Sequence, residues 1–577
     1  MDKTELGAAG VHPVASDAAG SQEKVTIQDE IKRDDDWYTR NGLNLKSFQR
    51  REEDSGTGTA ELDRSMKGRH LHMIAIGGSI GAGFFVGSGG ALRSGGPGSL
   101  LINFLIIGVM MFNVVYALGE LAIMYPVSGG FYTYSARFID PSWGFAMGWN
   151  YVFQWAVVLP LELTVCGITI SYWNDTVSVG VWITVFWVAI LIINIFGTLG
   201  YAEEEFASSA FKLLATCIFL VIAFVLVLGG GPKDGRYGEY WGARLWSDPG
   251  PFQNGFRGFC SVFVTAAFAF SGTELVGLAA AEARNPVKEM PGAIKQVFWR
   301  ITLFYVLGLF FVGLLIDPRD PNLLGSSSHD VHASPFVLVG KYAGLKGFDH
   351  FMNITILVSV LSIGVSAVYG GSRTLTALSQ QGYAPKIFSY IDRSGRPLYS
   401  VGIIIAFGLL AYINLNAQGE VVFDWLLSLS SLAALFTWGS ICLAHIRFRK
   451  AWALNGHTTD EIPFKAIGGV WGSYLGLILN ILVLAAQIYS AIAPVPDPGE
   501  APTFADAEGF FSAMLALPIV ILFWIIGYAW KRTGWLRTDQ IDVDSGRREL
   551  PWDEINAYRA ELAAMPAWKR IIHTVFV

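Results

Sequence analysis

Residues 73–85 read MIAIGGSIGAGFF, and residues 268–274 read FAFSGTE. The first stretch sits inside a long apolar run, yet Gly77, Gly78, Gly81 and Gly83 fall within seven residues. Each glycine costs a helix interior about 1 kcal/mol against alanine. In lipid, any backbone group freed from the helix must find protein, water or ligand. An unwound glycine stretch offers amide N–H groups and the start of a half-helix, and both favour an anion such as a carboxylate. In the second stretch Gly272 lies between Ser271 and Thr273, and Glu274 follows. An ionisable residue in mid-span marks function by default. The two breaks are five spans apart, and interrupted helices at matching places in two halves point to an inverted-repeat transporter.

Two plainer readings compete for the first stretch. Gly77 and Gly81, and likewise Gly83 and Gly87, have the spacing of small-residue helix packing. Gly81, Gly83 and Gly87 also resemble a dinucleotide loop, but neither a preceding strand nor an acidic ribose partner accompanies them. The second break favours a binding site over packing alone.

Working outward, twelve apolar segments are long enough to span a bilayer. They lie near 71–93, 99–124, 143–171, 179–197, 207–229, 259–281, 299–316, 350–377, 399–415, 421–446, 471–493 and 510–530. They are continuously apolar, which predicts a helical bundle and not a barrel. Only 15% of the 577 residues are charged, against about a quarter in soluble chains. The net charge of −6 gives no reason to expect nucleic acid. Cys166, Cys217, Cys260 and Cys442 are scattered through apolar segments, and read as small buried hydrophobes without a metal or disulfide pattern. No metal, cofactor or catalytic constellation emerges, so the chain does not read as an enzyme.

Lys and Arg concentrate in alternate loops, which places both termini in the cytoplasm. The one awkward inner loop, 198–206, holds Glu203, Glu204 and Glu205 and no base. Three regions follow: a polar tail over 1–69 that cannot bury enough surface to order itself, a transmembrane domain over 70–530, and a cytoplasmic tail over 531–577 with a short amphipathic helix near Asp553–Ala564. The first ~70 residues lack an apolar run, so no cleavable signal peptide is expected. Asp2 replaces the glycine that N-myristoylation needs. Lys3, Lys24, Lys32 and Lys46 lie in the first tail, within reach of a ubiquitin ligase or its adaptor.

Several charged residues fall within apolar runs. Lys212, at the start of the fifth, either snorkels to the inner interface or titrates as a desolvated amine. Glu120 in the second and Glu162 in the third are either buried structural carboxylates or members of a proton relay. Pro160 frees a carbonyl beside Glu162. Ser428, Ser430, Ser431 and Thr437 in the tenth often merely bond back to their own helix. His70 and His72 read as interfacial.

Long stretches carry a family resemblance: RHLHMIAIGGSIGAGFFVG at 69–87, DPSWGFAMGWNY at 140–151, FSGTELVGLAAAEARNPVKEMPGAIKQVFWRI at 270–301, APKIFSYIDRSGRP at 384–397 and FTWGSICLAHIRFR at 436–449. Across residues 66–550 the chain resembles the fungal amino-acid permeases, the yeast amino acid transporter family of the amino acid–polyamine–organocation superfamily, and among them the general, broad-range permeases. The resemblance implies an all-α membrane protein with a LeuT-type 5+5 inverted repeat, broken helices 1 and 6, and peripheral helices 11 and 12. It implies proton-driven import of α-amino acids across the plasma membrane by alternating access. On that pattern the amides around Ser79, Ile80, Gly81, Ala82 and Gly83 hold the substrate carboxylate. Carbonyls over Phe268–Ser271, with Phe270, Ser271, Gly272 and Thr273 at the break, hold the ammonium, and Phe268 is the outer aromatic gate. Glu274 matches the acidic residue of helix six. Lys212 matches a lysine that proton-coupled relatives carry where sodium-coupled ones bind sodium. Part of helix ten lies beside the side-chain pocket. Some relatives are sensors with little transport, but they tend to have a longer first tail. Many members end in a palmitoylated cysteine, which Thr574–Val577 lacks.

Overall fold

The protein is described by a computed structural model covering residues 37–40, 44–50, 62, 65–78, 80–126, 129–174, 176–279, 282–283, 286–323, 334–415, 419–496, 501–547 and 552–569. Every one of the twelve apolar segments is matched by helix. Among the described residues eight helices are long and apolar enough to cross a membrane alone, and Ala507–Ala513 with Ala516–Lys531 forms a further span bent by 65°. Two shorter apolar helices, Val179–Ile195 and Leu398–Ile413, serve as spans 4 and 9. Span 1 is the broken one: Gly68–Gly77, then Ala82–Phe85, then helix from Gly87 that turns at Gly96 and Pro97 into span 2, which ends at Met124. Span 6 breaks between Gly255–Phe270 and Leu275–Ala279. The remaining spans are Pro141–Ser171 (span 3), Gly197–Val227 (5), Val287–Leu315 (7), Phe348–Gln380 (8), Gly419–Leu454 (10) and Gly469–Ile492 (11).

Burial follows solvent logic for lipid. Val181, Val185 and Ile192 on span 4, Leu214, Val221 and Phe224 on span 5, and Ile478, Ile481 and Leu482 on span 11 face outward. Hydroxyls such as Ser359, Ser362, Ser366, Ser372, Thr374 and Thr376 face inward on span 8. With no water in the hydrocarbon, polar groups gain more from each other than from lipid. Cys217 departs from expectation: it is exposed on span 5, whereas Cys166, Cys260 and Cys442 are buried.

Span 7 begins about a dozen residues before its apolar run. Pro286–Arg300 packs its amphipathic face against the first half of span 1, and protein contact there replaces the lipid that hydropathy looks for. Residues Ile301–Gly308 then wind as a π-helix, a form concentrated at functional sites.

The tails correct a second expectation. The first tail is not without structure throughout, because Leu45–Phe48 is a helical turn seated on the loop between spans 8 and 9. There Ser47 is fully buried and accepts a hydrogen bond from Arg396 at 3.0 Å, Tyr390 donates to the Phe48 carbonyl at 2.6 Å, and Arg393 N–H donates to the Gln49 carbonyl at 2.9 Å. The other tail also docks. Arg137 donates to the Asp542 and Ser545 carbonyls at 2.8 and 2.6 Å, and Tyr125 donates to the Val543 carbonyl at 2.6 Å. A short helix does form where one is expected, over Trp552–Ala564, but its apolar residues are not gathered on one face.

Candidate functional site

The two glycine breaks meet. A Cβ added to Gly83 would lie 2.7 Å from the Phe268 ring and 2.8 Å from the Ala269 Cα. Only glycine allows spans 1 and 6 this approach. Gly272 takes φ +90°, a conformation that a residue without a Cβ adopts at little cost, between the two halves of span 6. Between the breaks lies a cavity lined by Gly81, Gly83, Trp155, Val158, Glu162, Phe268, Ala269, Ser271 and Ile363.

On the span 1 side, Gly81 caps the short helix Ala82–Phe85, whose first amides open to the cavity. The Glu162 carboxylate reaches them. It accepts from the Ala82 backbone, and its Oε1 would lie 3.5 Å from a Cβ on Gly81. A carboxylate of the protein thus sits where the sequence reading puts the substrate's own. On the span 6 side the carbonyls differ in availability. The Ala269 carbonyl accepts from the Tyr305 hydroxyl at 2.6 Å, and that of Phe270 accepts from the Thr273 hydroxyl at 2.6 Å. Those of Ala267 and Phe268 share, among the described residues, one bond from Ser271 N–H, at 3.1 Å each. The expected ammonium cradle over 268–271 therefore narrows to the Phe268 end. Gln154 donates to the Ser271 hydroxyl at 2.7 Å and fixes the lip of the break.

Of the residues expected at the site, Gly81, Gly83, Phe268, Ser271 and Glu162 line the cavity. Ile80, Ala82, Phe270, Gly272 and Thr273 are buried beside it. Phe270 stacks on Tyr305 with ring centroids 4.0 Å apart, so it braces span 7. Ser79 lies outside the described residues. Glu274 accepts from Trp438 Nε1 at 3.0 Å and from Gly272 N–H at 3.3 Å, which ties the break to span 10. Lys212 is fully buried and does not snorkel. Its Nζ donates to the Gly77 carbonyl at 3.2 Å and to Ser362 Oγ at 3.0 Å, and so holds the carbonyl end of the first half-helix. None of the span 10 hydroxyls lines the cavity. Ser431 accepts from Gln487 at 3.1 Å, and Thr437 bonds back to Ala433.

Glu120 is elsewhere. It is buried among His445 Nε2 at 2.9 Å, Arg449 Nε at 2.6 Å and Ala466 N–H at 2.8 Å. This joins span 2 to span 10 and to the loop after it, the arrangement that the structural one of its two readings describes. Removing one partner of a buried ion pair costs about 3–5 kcal/mol. Glu120→Ala should therefore lower the melting temperature of the solubilised protein markedly, while the pH dependence of uptake by the surviving folded fraction stays unchanged. A shifted pH profile would return Glu120 to the relay.

Sequence reasoning missed three lining residues, Trp155, Val158 and Ile363, because apolar side chains on apolar spans carry no local signal. It also counted Arg300 only as an inner-loop charge. Arg300 is buried, and it donates to the Ala75 carbonyl at 3.3 Å and to Thr273 Oγ1 at 2.9 Å, bridging the two broken spans. Ion pairs gather at the end of the bundle where span 1 begins. Arg69 and His70 on span 1 both pair with Glu203. Glu282 pairs with Arg373 at 3.2 Å and accepts from Thr198 at 2.6 Å.

Comparison with known proteins agrees with this geometry. The amino acid permease family profile matches residues 70–540. The chain is 72% identical over 546 residues to the amino-acid permease inda1 of Hypocrea atroviridis, covering 94% of each chain. It is 49% identical over 527 residues to the general amino-acid permease GAP1 of Saccharomyces cerevisiae, covering 89% of this chain and 86% of that one. The fold resembles the crystal structure of MhsT in complex with L-phenylalanine, with TM-score 0.51 and 16% identity over 74% of this chain and 99% of that one. That likeness gives the LeuT-type fold. The family profile and these relatives, taken with the apolar spans and the paired breaks, make this chain a multi-pass membrane transporter of amino acids that belongs to the amino acid permease family.

Proposed function

We propose that the chain is a symporter that imports α-amino acids of broad side-chain range together with protons across the plasma membrane, by alternating access, with both termini cytoplasmic. The carrying observation is Glu162 at the amides of the Ala82–Phe85 helix. A substrate carboxylate held by the same amides would lie about 4 Å from it. Two like charges at that distance repel by about 4 kcal/mol at an effective dielectric of 20. The substrate therefore binds with Glu162 protonated or displaced, which links amino acid and proton at one site. Lys212 holds the other end of the break at Gly77, so a change in its charge is felt where span 1 bends. The lining of Val158, Ile363, Trp155 and Phe268 is apolar and uncharged, which suits neutral side chains of varied size. The ion pairs at the end of the bundle where span 1 begins supply the contacts that must part on inward opening.

Purified protein in vesicles, given labelled amino acids and an inward proton gradient, tests this. Uptake above the no-gradient level is expected. Binding without uptake would mean an amino-acid sensor. In the Lys212→Met variant, acceleration by external acid should disappear while uptake at equal pH persists. Undiminished acid stimulation would remove Lys212 from the coupling.

The polar first tail supports a regulatory partner, a ubiquitin ligase or its adaptor. Lys46 is exposed on the docked turn, and Lys3, Lys24 and Lys32 lie outside the described residues.

A further inference from the structure

The acidic run at the start of span 5 reads as an awkward loop in the sequence, and the mechanism above uses only Glu203 of it. Its three carboxylates have three environments. Glu203 is exposed and pairs with Arg69 and His70. Glu204 is partly exposed and accepts from Ser208. Glu205 is fully buried and turned into the protein.

We propose that Glu205 receives the proton that leaves Lys212 on the inward half of the cycle, through the hydroxyl of Ser362. This rests on the symport reading. Both charges are fully buried and 3.7 Å apart, Nζ to Oε1, too far for a hydrogen bond. The route through Ser362 is continuous. Lys212 Nζ donates to Ser362 Oγ at 3.0 Å, and Ser362 Oγ donates to Glu205 Oε2 at 2.7 Å. The step balances without a co-reactant. Nζ gives its proton to the serine oxygen as the serine's own proton passes to the carboxylate. An ammonium and a carboxylate become an amine and a carboxylic acid, and the serine ends as it began. A neutral pair also escapes most of the desolvation penalty that a buried ion pair bears.

The surroundings favour Glu205 as the inward stop. Lys212 follows it by seven residues, about two helical turns, and span 5 rises from the inner side. Ser209 and Ser366 donate to Glu205 at 2.6 and 3.2 Å. Ser366 also reaches the Tyr201 hydroxyl at 3.5 Å, and Tyr201 stacks on Tyr369 at 4.0 Å above Arg373. The other titratable groups facing this cluster are Glu162 on span 3, Glu204 on span 5, and Tyr369 with Arg373 on span 8. Arg373 is committed to Glu282 from the far end of span 6. Span 1 contributes the Gly77 carbonyl and, nearer the inner face, His70 with its partner Glu203.

A fixed counter-ion for Lys212 is the competing role, and two assays separate them. Vesicles holding the wild type, Glu205→Gln, Glu205→Asp or Ser362→Ala are tested for amino-acid exchange at equal pH, and for net uptake under a proton gradient with a trapped pH dye. Exchange returns the loaded carrier outward and needs no proton release. The expectation is that Glu205→Gln and Ser362→Ala keep exchange but lose at least about tenfold of gradient-driven uptake and lumen acidification, with partial recovery in Glu205→Asp. Ser362→Ala keeps both charges, so it decides the matter if Glu205→Gln does not fold. Wild-type acidification in Ser362→Ala and Glu205→Gln overturns the proposal. Parallel loss of exchange and net uptake in Glu205→Gln, with Ser362→Ala unaffected, assigns the counter-ion role and overturns it as well. Absence of acidification in the wild type sinks the symport reading itself.

Discussion

Gly83→Ala is expected to abolish measurable amino-acid uptake while the protein still reaches the membrane. The added methyl meets the Ala269 backbone at 2.8 and 2.9 Å, and backbone does not swing aside as a side chain does. Overpacking of this kind costs about 1–3 kcal/mol. Here it falls on the closest approach described between the two half-sites, where a misplacement of about 1 Å can cost a hundredfold. Gly81 supplies the internal control. Its added Cβ meets Ile363 Cγ1 at 2.5 Å, the branch of a side chain that can be trimmed. Uptake by Gly81→Ala should therefore recover when Ile363→Ala is added, whereas no single side-chain truncation should rescue Gly83→Ala. Normal uptake kinetics in Gly83→Ala, at normal surface abundance, would disprove the claim that this contact builds the site.

Arg300→Met should be nearly as severe. It removes the donor shared by the Ala75 carbonyl and Thr273 Oγ1, and with it the strut between the broken spans. Hydrogen bonds from a charged group are worth about 1.5–3 kcal/mol each, so losing two corresponds to a hundredfold or more in uptake rate. Arg300→Lys should not restore it, because one ammonium cannot span both acceptors as a planar fork does. The measurement is initial uptake rate per surface copy. A lysine variant that transports like wild type would show that charge alone is needed there.

Much of this was legible in the sequence, and the legible parts share a cause. Twelve apolar runs, two glycine breaks and a mid-span carboxylate each violate what a plain membrane helix wants, so each announces itself locally. The fold followed from the runs, and the location of the cavity from the breaks. What stayed hidden depends on pairing across the fold. Glu120 and Glu162 look alike in sequence, each a lone carboxylate among apolar neighbours. One meets His445 and Arg449, the other meets the open amides of span 1. Glu205 looked like part of a solvated acidic turn because its partners, Ser362 and Ser366, are more than 150 residues away. Arg300 looked like an inner-loop charge because the apolar run begins beside it, whereas the helix itself starts a turn-rich segment earlier, at Pro286. The docking of Ser47 on Arg396 was invisible for the same reason: composition described the tail, and one buried partner placed it.

The docked second tail has a consequence for biosynthesis. Tyr125 donates to Val543 across 418 residues of sequence, and Arg137 to Ser545 across 408. At a synthesis rate of about 5–20 residues per second, the acceptors emerge at least roughly 20 s after their donors. Through that interval the inner end of span 2 and the helix after it must wait with a tyrosine hydroxyl and a guanidinium unmatched. This face of the bundle is thus completed only after residues 543–545 have been made, and a chain cut short before residue 543 would present an unfilled groove.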